Sequence, residues 1–251
     1  MTTDLIGSEA KPQFHSKTVS VLERKSIADS TILLKLERPH DFQFVAGLNL
    51  DLTLPDCDND QFSGKRTLSI ASAPYEPFIE LAIRTRPSPF KEAVAQLEPG
   101  DPVRIDGPYG TFGLRHDAST PAVFIAGGIG ITPFLSIIRQ MKRENWSGNV
   151  YLFYSNRRRA ISAYIDEFQS LGKEESWFNL IPVFTRISPD GSFGSFENGR
   201  VTPDMIRKHV PDVDSAHFYV VGGSEMVWSM VRELDSIAPR ERITVEDFTG
   251  F

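Results

Sequence analysis

The chain has 251 residues, of which 40% are apolar and 24% charged, so it is long enough for one large globular domain or two ordinary ones. Its net charge of −6, with no long basic stretch, argues against nucleic acid as a main partner. No apolar run approaches the roughly 20 residues of a membrane span, and the first residues lack a signal-peptide pattern, which predicts a soluble, cytoplasmic protein. One cysteine and five scattered histidines predict no disulfide, no iron–sulfur cluster and no metal site.

The first half of the chain has the periodicity of short β-strands. Apolar and polar residues alternate in runs separated by turn residues, at 18–25, 30–38, 48–54, 78–86 and 102–106. Several short strands at such spacing predict an antiparallel barrel or sandwich. One helix is expected in this half, over 88–97, with Ser88 as its N-cap and Pro89 at its first position.

From about residue 120 onward, strands alternate with amphipathic helices. The predicted strands lie at 122–126, 149–154, 178–184, 217–221 and 243–248, and the predicted helices at 133–144, 160–171, 202–210 and 225–237. Such alternation predicts a doubly wound parallel sheet. With a linker at 115–120, the sequence predicts a β-barrel domain over 1–117 and an α/β domain over 118–251.

A glycine-rich stretch lies where the first strand of the second half passes into a helix. Gly127, Gly128 and Gly130 leave the backbone bare, and Thr132 is expected to cap the helix with Pro133 at its first position. The unpaired N–H groups of such a helix start carry partial positive charge, at the strand end where α/β sheets bind ligands. The stretch therefore predicts a diphosphate site; the alternative is a tight turn that needs glycine for packing alone.

The end of the next strand carries a run of basic residues. Ser155 and Asn156 precede three arginines that begin with Arg157, just ahead of a helix, where cations oppose the helix dipole. A bound phosphate would offset that repulsion, and Thr185 with Arg186 at the end of the following strand would form a second clamp. Because arginine at this place accommodates a 2′-phosphate, the sequence favours NADPH over NADH. The alternative is a basic turn that contacts only solvent.

In the first half, the sequence RTLS combines an arginine with a nearby serine. Arg66 can clamp a phosphate and Ser69 can donate a hydrogen bond, although such a pair is also common on protein surfaces. The order of motifs is more specific, because RTLS, SPFK, GPYG, AGGIGITP, YSNR, VVGGSEM and VEDFTGF follow one another along the chain. From about residue 19 to the end, this series resembles the ferredoxin–NADP reductase superfamily, in which a flavin-binding β-barrel precedes a nicotinamide-binding α/β domain.

The resemblance implies an FAD site in the barrel domain. Arg66 would hold the FAD diphosphate, Leu68 would pack against the isoalloxazine ring, and Ser69 would place its hydroxyl near flavin N5. The other implied FAD contacts, along the ring and at the phosphates, are Ile83, Thr85, Ser88, Phe90 and Lys91.

The resemblance also implies a nicotinamide site in the α/β domain. The matching NAD(P) loop consists of Gly127, Gly128, Gly130, Thr132 and Pro133. Gly222 and Met226 match the loop over the nicotinamide, and Glu246 matches an acidic residue near the flavin. Phe251 matches a terminal aromatic residue that can stack on the flavin, the alternative being a frayed terminus.

Three features depart from the pattern of this superfamily. Leu68 stands where relatives usually carry tyrosine, so packing has to replace ring stacking. Val221 stands where many relatives carry a cysteine facing the nicotinamide, which would slow hydride transfer or mark a subgroup. The iron–sulfur domain of oxygenase reductases has no counterpart, because this sequence lacks the cysteines.

The implied activity is that of an FAD-dependent oxidoreductase. Hydride would pass from NADPH or NADH to FAD, with Ser69 and Glu246 stabilising or relaying the proton at N5, and electrons would leave singly. The implied acceptor is a ferredoxin, a flavodoxin or another one-electron carrier protein. Two alternatives stay open: an NAD(P)H:flavin oxidoreductase that uses free flavin, and an electron-transfer or redox-sensing subunit that does not turn over alone.

Overall fold

The computed structural model describes residues 15–55, 57, 64–85, 88–186 and 195–248. The chain divides into two compact units. The first unit holds the described residues up to Arg115 together with Thr132–Glu144, and the second holds His116–Ile131 and the described residues from Asn145 onward. The domain boundary expected after residue 117 stays a prediction.

The first unit is an antiparallel barrel. Its elements are β1 (His15–Ala28), β2 (Thr31–Glu37), β3 (Asn49–Thr53), β4 (Lys65–Ser69), β5 (Phe78–Arg84), α1 (Pro89–Gln96), β6 (Pro102–Tyr109) and α2 (Ile131–Arg143). The six strands pair in the order β4-β3-β6-β1-β2-β5. The two ends of that order, β4 and β5, also contact each other, so the sheet closes into a barrel as the strand pattern predicts.

Alternation along the strands builds the core of this barrel. On β3, Leu50 and Leu52 are fully buried, and on β5, Ile79 and Leu81 are fully buried as well. Successive strand residues point to opposite faces, so every second apolar residue reaches the interior. The expected helix is confirmed as α1, which Ser88 caps by accepting a hydrogen bond from the Lys91 N–H at 3.3 Å.

The second unit is a parallel α/β sheet. Its elements are β7 (Ala122–Gly127), β8 (Val150–Asn156), α3 (Ile165–Glu174), β9 (Phe178–Phe184), β10 (Glu197–Asn198), α4 (Pro203–His209), β11 (His217–Gly223), α5 (Ser224–Leu234) and β12 (Ile243–Phe248). The strand order is β10-β9-β8-β7-β11-β12, and every pairing is parallel. The order reverses between β7 and β11, which is the place where such sheets bind ligands.

Two helix starts differ from the sequence predictions. The helix expected over 160–171 begins only at Ile165, because Arg159–Ile161 forms a 3₁₀ turn and Tyr164 has left-handed backbone (φ 60°). Thr132 is not the N-cap of α2, since the 3₁₀ turn Gly128–Gly130 continues directly into a helix that starts at Ile131. Thr132 and Pro133 therefore lie inside its first turn, where proline is still tolerated. Among the described residues, no helix has the length and apolar character needed to cross a membrane.

Candidate functional site

The edge strand β4 of the barrel presents an unusual buried hydroxyl. Leu68 and Ser69, the last two residues of the strand, are 7% and 6% exposed. Within the part of the chain that the structure describes, the Ser69 Oγ is buried and makes no hydrogen bond. A buried hydroxyl without a partner costs free energy, so such groups are normally paired with protein, water or ligand. Ser69 therefore fits a site that a ligand completes.

Arg66, on the same strand, lies at the start of helix α1. Its guanidinium carbon is 4.9 Å from the centre of the Phe90 ring, and Phe90 is the second residue of the helix. One nitrogen of Arg66 donates to the Lys65 carbonyl at 2.7 Å. The first-turn N–H groups of α1, capped by Ser88, add partial positive charge. The structure thus brings a guanidinium and a helix N-terminus together, as a diphosphate site requires.

The other barrel residues of the predicted site lie on β5 and α1. Ile83 is 2% exposed and pairs with Ile32 of β2, and the Thr85 N–H donates to the Ser30 carbonyl at 2.9 Å. Lys91 lies in the first turn of α1, where its N–H donates a hydrogen bond to the capping Ser88 hydroxyl. β5 closes the barrel against β4, so this strand also borders the edge that carries Ser69.

The glycine turn after β7 is required by the backbone around it. A Cβ at Gly130 would collide with the backbone of Val221 and Gly222 at the end of β11. Gly128 adopts left-handed backbone (φ 57°), which L side chains rarely adopt. Gly130 is therefore needed for packing, as the tight-turn alternative predicts. This need is compatible with a diphosphate site, because bare backbone also lets a phosphate approach.

A methionine covers the adjacent strand ends. A Cβ on Gly127 or Gly222 would lie 3.2 or 3.1 Å from the Met226 sulfur, so the thioether occupies the space that the missing side chains leave. Met226 is the third residue of α5, which begins directly after β11. The structure brings these three predicted residues together where the strand order reverses.

The basic turn after β8 lies beside the end of β9. The Thr185 N–H donates to the Asn156 carbonyl at 3.0 Å, and the Arg186 N–H donates to the Arg157 carbonyl at 2.9 Å. Ser155 and Asn156 are the last residues of β8, and both arginines are exposed. The predicted first and second clamps are thus neighbours, with their charged ends open to solvent.

Of the two predicted flavin contacts near the end of the chain, the structure describes Glu246 but not Phe251. Glu246 lies on the edge strand β12, opposite Val221 of β11 in the parallel register, and is half-buried. Val221 itself is fully buried, so the position expected to carry cysteine is filled by a core side chain. Phe251 lies outside the described residues.

The residues present fit both cofactors. In the first unit, the unpartnered Ser69 hydroxyl and the pairing of Arg66 with the start of α1 match the needs of a flavin ring and its diphosphate. In the second unit, the bare backbone of Gly127, Gly130 and Gly222 lies where β7 and β11 end. Among the described residues, no group of three or more histidine, cysteine, aspartate or glutamate side chains is placed to hold a metal ion.

The sequence analysis missed one polar cluster near this edge. Arg139 of α2 pairs with Glu76 and Glu80 of the barrel, at 3.3 Å each. The only sequence signal is Glu80, a charged residue inside the apolar strand FIELAIR. Its partner is 59 positions away along the chain, so no local pattern could connect them.

Comparisons with known proteins agree with this geometry. A family model described as an oxidoreductase NAD-binding domain matches residues 124–232. The reductase component of propane 2-monooxygenase from Mycolicibacterium smegmatis is 29% identical, over 92% of this chain and 67% of the relative. Ferredoxin–NADP reductase B from Sorangium cellulosum is also 29% identical, over 82% of this chain and 86% of its own.

Solved structures give the same result. The crystal structure of the Amycolatopsis cytochrome P450 reductase GcoB is 27% identical and has a TM-score of 0.81, over 96% of this chain and 72% of that one. The chain spans 57–68% of the lengths of four propane 2-monooxygenase reductase components that it matches. With its antiparallel barrel and its parallel sheet, the chain has the two-domain fold of ferredoxin–NADP reductases and is similar to FAD- and NAD(P)-binding oxidoreductases.

Proposed function

We propose that this protein is an NAD(P)H-dependent flavoprotein reductase that delivers electrons to a partner protein. The observation that carries the proposal is the buried Ser69 hydroxyl, which makes no hydrogen bond within the described residues and lies three positions after an arginine held at a helix start. When bound, FAD accepts a hydride and releases electrons one at a time. The protein supplies binding, orientation and control of the proton.

On the flavin side, the barrel residues have separate roles. Arg66 and the first-turn N–H groups of α1 bind the FAD diphosphate. Leu68 packs on the ring, and the Ser69 hydroxyl donates a hydrogen bond at flavin N5. Because Leu68 is aliphatic, ring binding depends on shape and burial more than on aromatic stacking.

On the nucleotide side, the bare turn Gly127–Gly130 receives the diphosphate of the dinucleotide. Met226, which packs against Gly127 and Gly222, lines the space beside the nicotinamide ring. Arg157 and Arg186 hold a 2′-phosphate, which would make NADPH the preferred donor. Glu246 holds or relays a proton during the transfer.

The partner is proposed to be a one-electron carrier of the ferredoxin or flavodoxin type. The relatives are named as reductase components of monooxygenases, as a cytochrome P450 reductase and as a ferredoxin–NADP reductase. Each of these names describes a protein that reduces another protein or a system component. A small carrier protein that accepts single electrons suits a flavin that releases its electrons one at a time.

An absorbance spectrum of the purified protein tests this function. We expect the protein as isolated to show flavin absorbance bands, because the barrel site retains FAD. We expect NADPH to bleach these bands at a lower concentration than NADH, because Arg157 and Arg186 bind the 2′-phosphate. Addition of a ferredoxin should then restore the bands under anaerobic conditions. Released flavin identified as FAD by chromatography completes the measurement.

The alternative of a free-flavin reductase predicts a different spectrum. Protein that is colourless, takes up no FAD and turns over with added riboflavin would support that alternative and contradict the proposal. The capped α1 and the guanidinium over Phe90 favour retained FAD, since free riboflavin has no diphosphate to bind there.

A further inference from the structure

The segment of residues 70–77, which joins β4 to β5, follows Ser69 directly. Its first four residues, Ile70 to Ala73, are fully buried. Within the barrel, the Ile70 N–H donates to the Leu48 carbonyl at 2.9 Å, and the Ala71 N–H donates to the Glu80 carbonyl at 2.8 Å. The segment therefore has little freedom of its own, and its position determines where the end of β4 points.

Helix α2 holds this segment through two polar contacts. The Ser136 hydroxyl donates to the Ser72 carbonyl at 2.6 Å. One turn further on, Arg139 reaches Oε2 of Glu76 and Oε1 of Glu80, each at 3.3 Å. The Glu76 Oε2 in turn accepts the Ala73 N–H at 2.6 Å, so the guanidinium, the carboxylate and the segment backbone form one connected network.

The burial of these charges is informative. The Glu80 side chain is 3% exposed and the Arg139 side chain 17% exposed. Taking charges out of water is costly, and well-packed apolar residues would often stabilise such a contact equally well. An arginine that bridges two carboxylates instead fixes where those carboxylates lie, because the N–H groups of its planar guanidinium donate in a narrow range of directions.

We propose that Arg139 is a positioning residue for the flavin site. Through Glu76 and Glu80, and with the help of Ser136, it holds the 70–77 segment and so orients the Ser69 hydroxyl that precedes it. This inference rests on the proposed role of Ser69. The same helix begins directly after the glycine turn.

The test compares Arg139→Met with the wild-type holoprotein in stopped-flow reduction by NADPH. We expect Arg139→Met to retain FAD, to slow flavin reduction at saturating NADPH by tenfold or more, and to change the KM for NADPH less than twofold. Arg139→Lys, which keeps one ion pair, should recover most of the rate. A rate per bound flavin within twofold of wild type in Arg139→Met would overturn the proposal.

Hydrogen exchange provides a readout that does not depend on activity. In Arg139→Met, amides of the 70–77 segment should exchange about tenfold faster than in wild type, with or without FAD added. Slow reduction with unchanged exchange would overturn positioning through this segment. If wild type binds no FAD, the proposed function fails, whereas the exchange result still decides whether Arg139 holds the segment.

A matched control lies one turn along the same helix. Arg143 places its guanidinium 5.7 Å from the ring of Tyr75, which also belongs to the segment, without a carboxylate bridge in the described contacts. Arg143→Met should leave both the reduction rate and the exchange unchanged. If Arg139→Met does not fold, Ser136→Ala, which removes one buried hydrogen bond at similar volume, should slow reduction in the same direction with FAD retained; an unchanged rate in that variant overturns the proposal.

Discussion

At the scale of single residues, the buried serines of the barrel unit differ in whether their hydroxyls have a protein partner. Ser72 and Ser136 are buried serines whose hydroxyls accept or donate a hydrogen bond inside the barrel unit. Ser69 is buried to a similar degree, yet its hydroxyl has no partner among the described residues. Water or a ligand can complete such an atom, and at Ser69 the nearby Arg66 and the start of α1 favour a ligand.

Removal of this hydroxyl should therefore affect chemistry and stability in different ways. We expect Ser69→Ala to slow flavin reduction by NADPH about 10- to 100-fold, because a donor at the reacting nitrogen is lost. The free energy of unfolding should change little or increase, since the variant removes an unsatisfied buried group. Stopped-flow absorbance of the FAD-loaded protein and urea unfolding of the FAD-free protein measure the two quantities.

Thr31→Val is a suitable control for Ser69→Ala. The Thr31 hydroxyl is also buried without a partner in the described residues, but it lies on β2. Valine preserves its shape, so stability should change as little as in Ser69→Ala while the reduction rate stays at the wild-type value. Equal rates in the two variants would remove Ser69 from the mechanism.

At the scale of elements, parallel strands bring distant residues to one edge of the sheet. β8 ends at Asn156 and β9 at Phe184, and the backbone bonds that follow them tie Arg186 to Arg157. The two arginines are 29 positions apart in the sequence and contact only because the strands run in the same direction. A phosphate could thus be held by both.

Arg157→Ala should raise the KM for NADPH about tenfold and leave the KM for NADH unchanged. A charge-assisted hydrogen bond to phosphate contributes about 1.5–3 kcal/mol, and an exposed site gives the lower end of that range. Steady-state kinetics with both donors and a dye acceptor measure the effect. The backbone bond from Arg186 is retained in the variant, so folding should be unaffected.

Arg159→Ala serves as the matched variant on the same turn. Arg159 forms an ion pair with Asp166 in the first turn of α3, so its charge is already used within the protein. We expect both KM values to stay near wild type. Similar losses with NADPH in Arg157→Ala and Arg159→Ala would indicate a general effect of positive charge and contradict a specific clamp.

At the scale of the whole molecule, two histidines meet where the chain passes from the first unit into the second. The ring centres of His116 and His217 are 4.7 Å apart. The Asp117 carbonyl lies 2.9 Å from Nδ1 of His116 and can only accept, so that nitrogen carries the proton. Burial lowers the pKa of His116, and burial with the neighbouring His116 and Arg242 lowers the pKa of His217.

This pair predicts a loss of stability in mild acid. Because the folded-state pKa values lie below those of the unfolded chain, unfolding takes up protons once the pH falls below about 6.5. The stability that these neutral histidines contribute is fully present above that pH. At lower pH the free energy of unfolding decreases by at most about 1.4 kcal/mol per pH unit for each proton taken up. Urea unfolding between pH 7.5 and 5 should show the decrease.

His116→Asn identifies the source of this pH dependence. Asparagine keeps a donor toward the Asp117 carbonyl and cannot be protonated, so the slope below pH 6.5 should be reduced. His40, exposed in the loop after β2, provides the comparison, and His40→Asn should retain the wild-type slope. A slope that His116→Asn leaves unchanged would assign the acid sensitivity to other groups.

Much of the fold and part of the site followed from the sequence alone. Period-two alternation predicted the barrel strands, and the Ser-Pro start predicted α1, because these signals are local and depend on neighbouring residues only. The glycines after β7 are also a local signal, and the sequence therefore predicted bare backbone at this turn. The roles of the individual site residues stay predictions.

Other features were decided only by tertiary structure. The start of α2 at Ile131 and the late start of α3 reflect 3₁₀ turns, which are frequent at helix ends, and surrounding contacts decide where each helix begins. The ion pairs of Arg139 and the contact between His116 and His217 join residues 59 or more positions apart, and no periodicity in the sequence indicates such pairs. Local patterns determine which elements form, whereas burial of charge and the absence of a partner for Ser69 exist only after those elements pack.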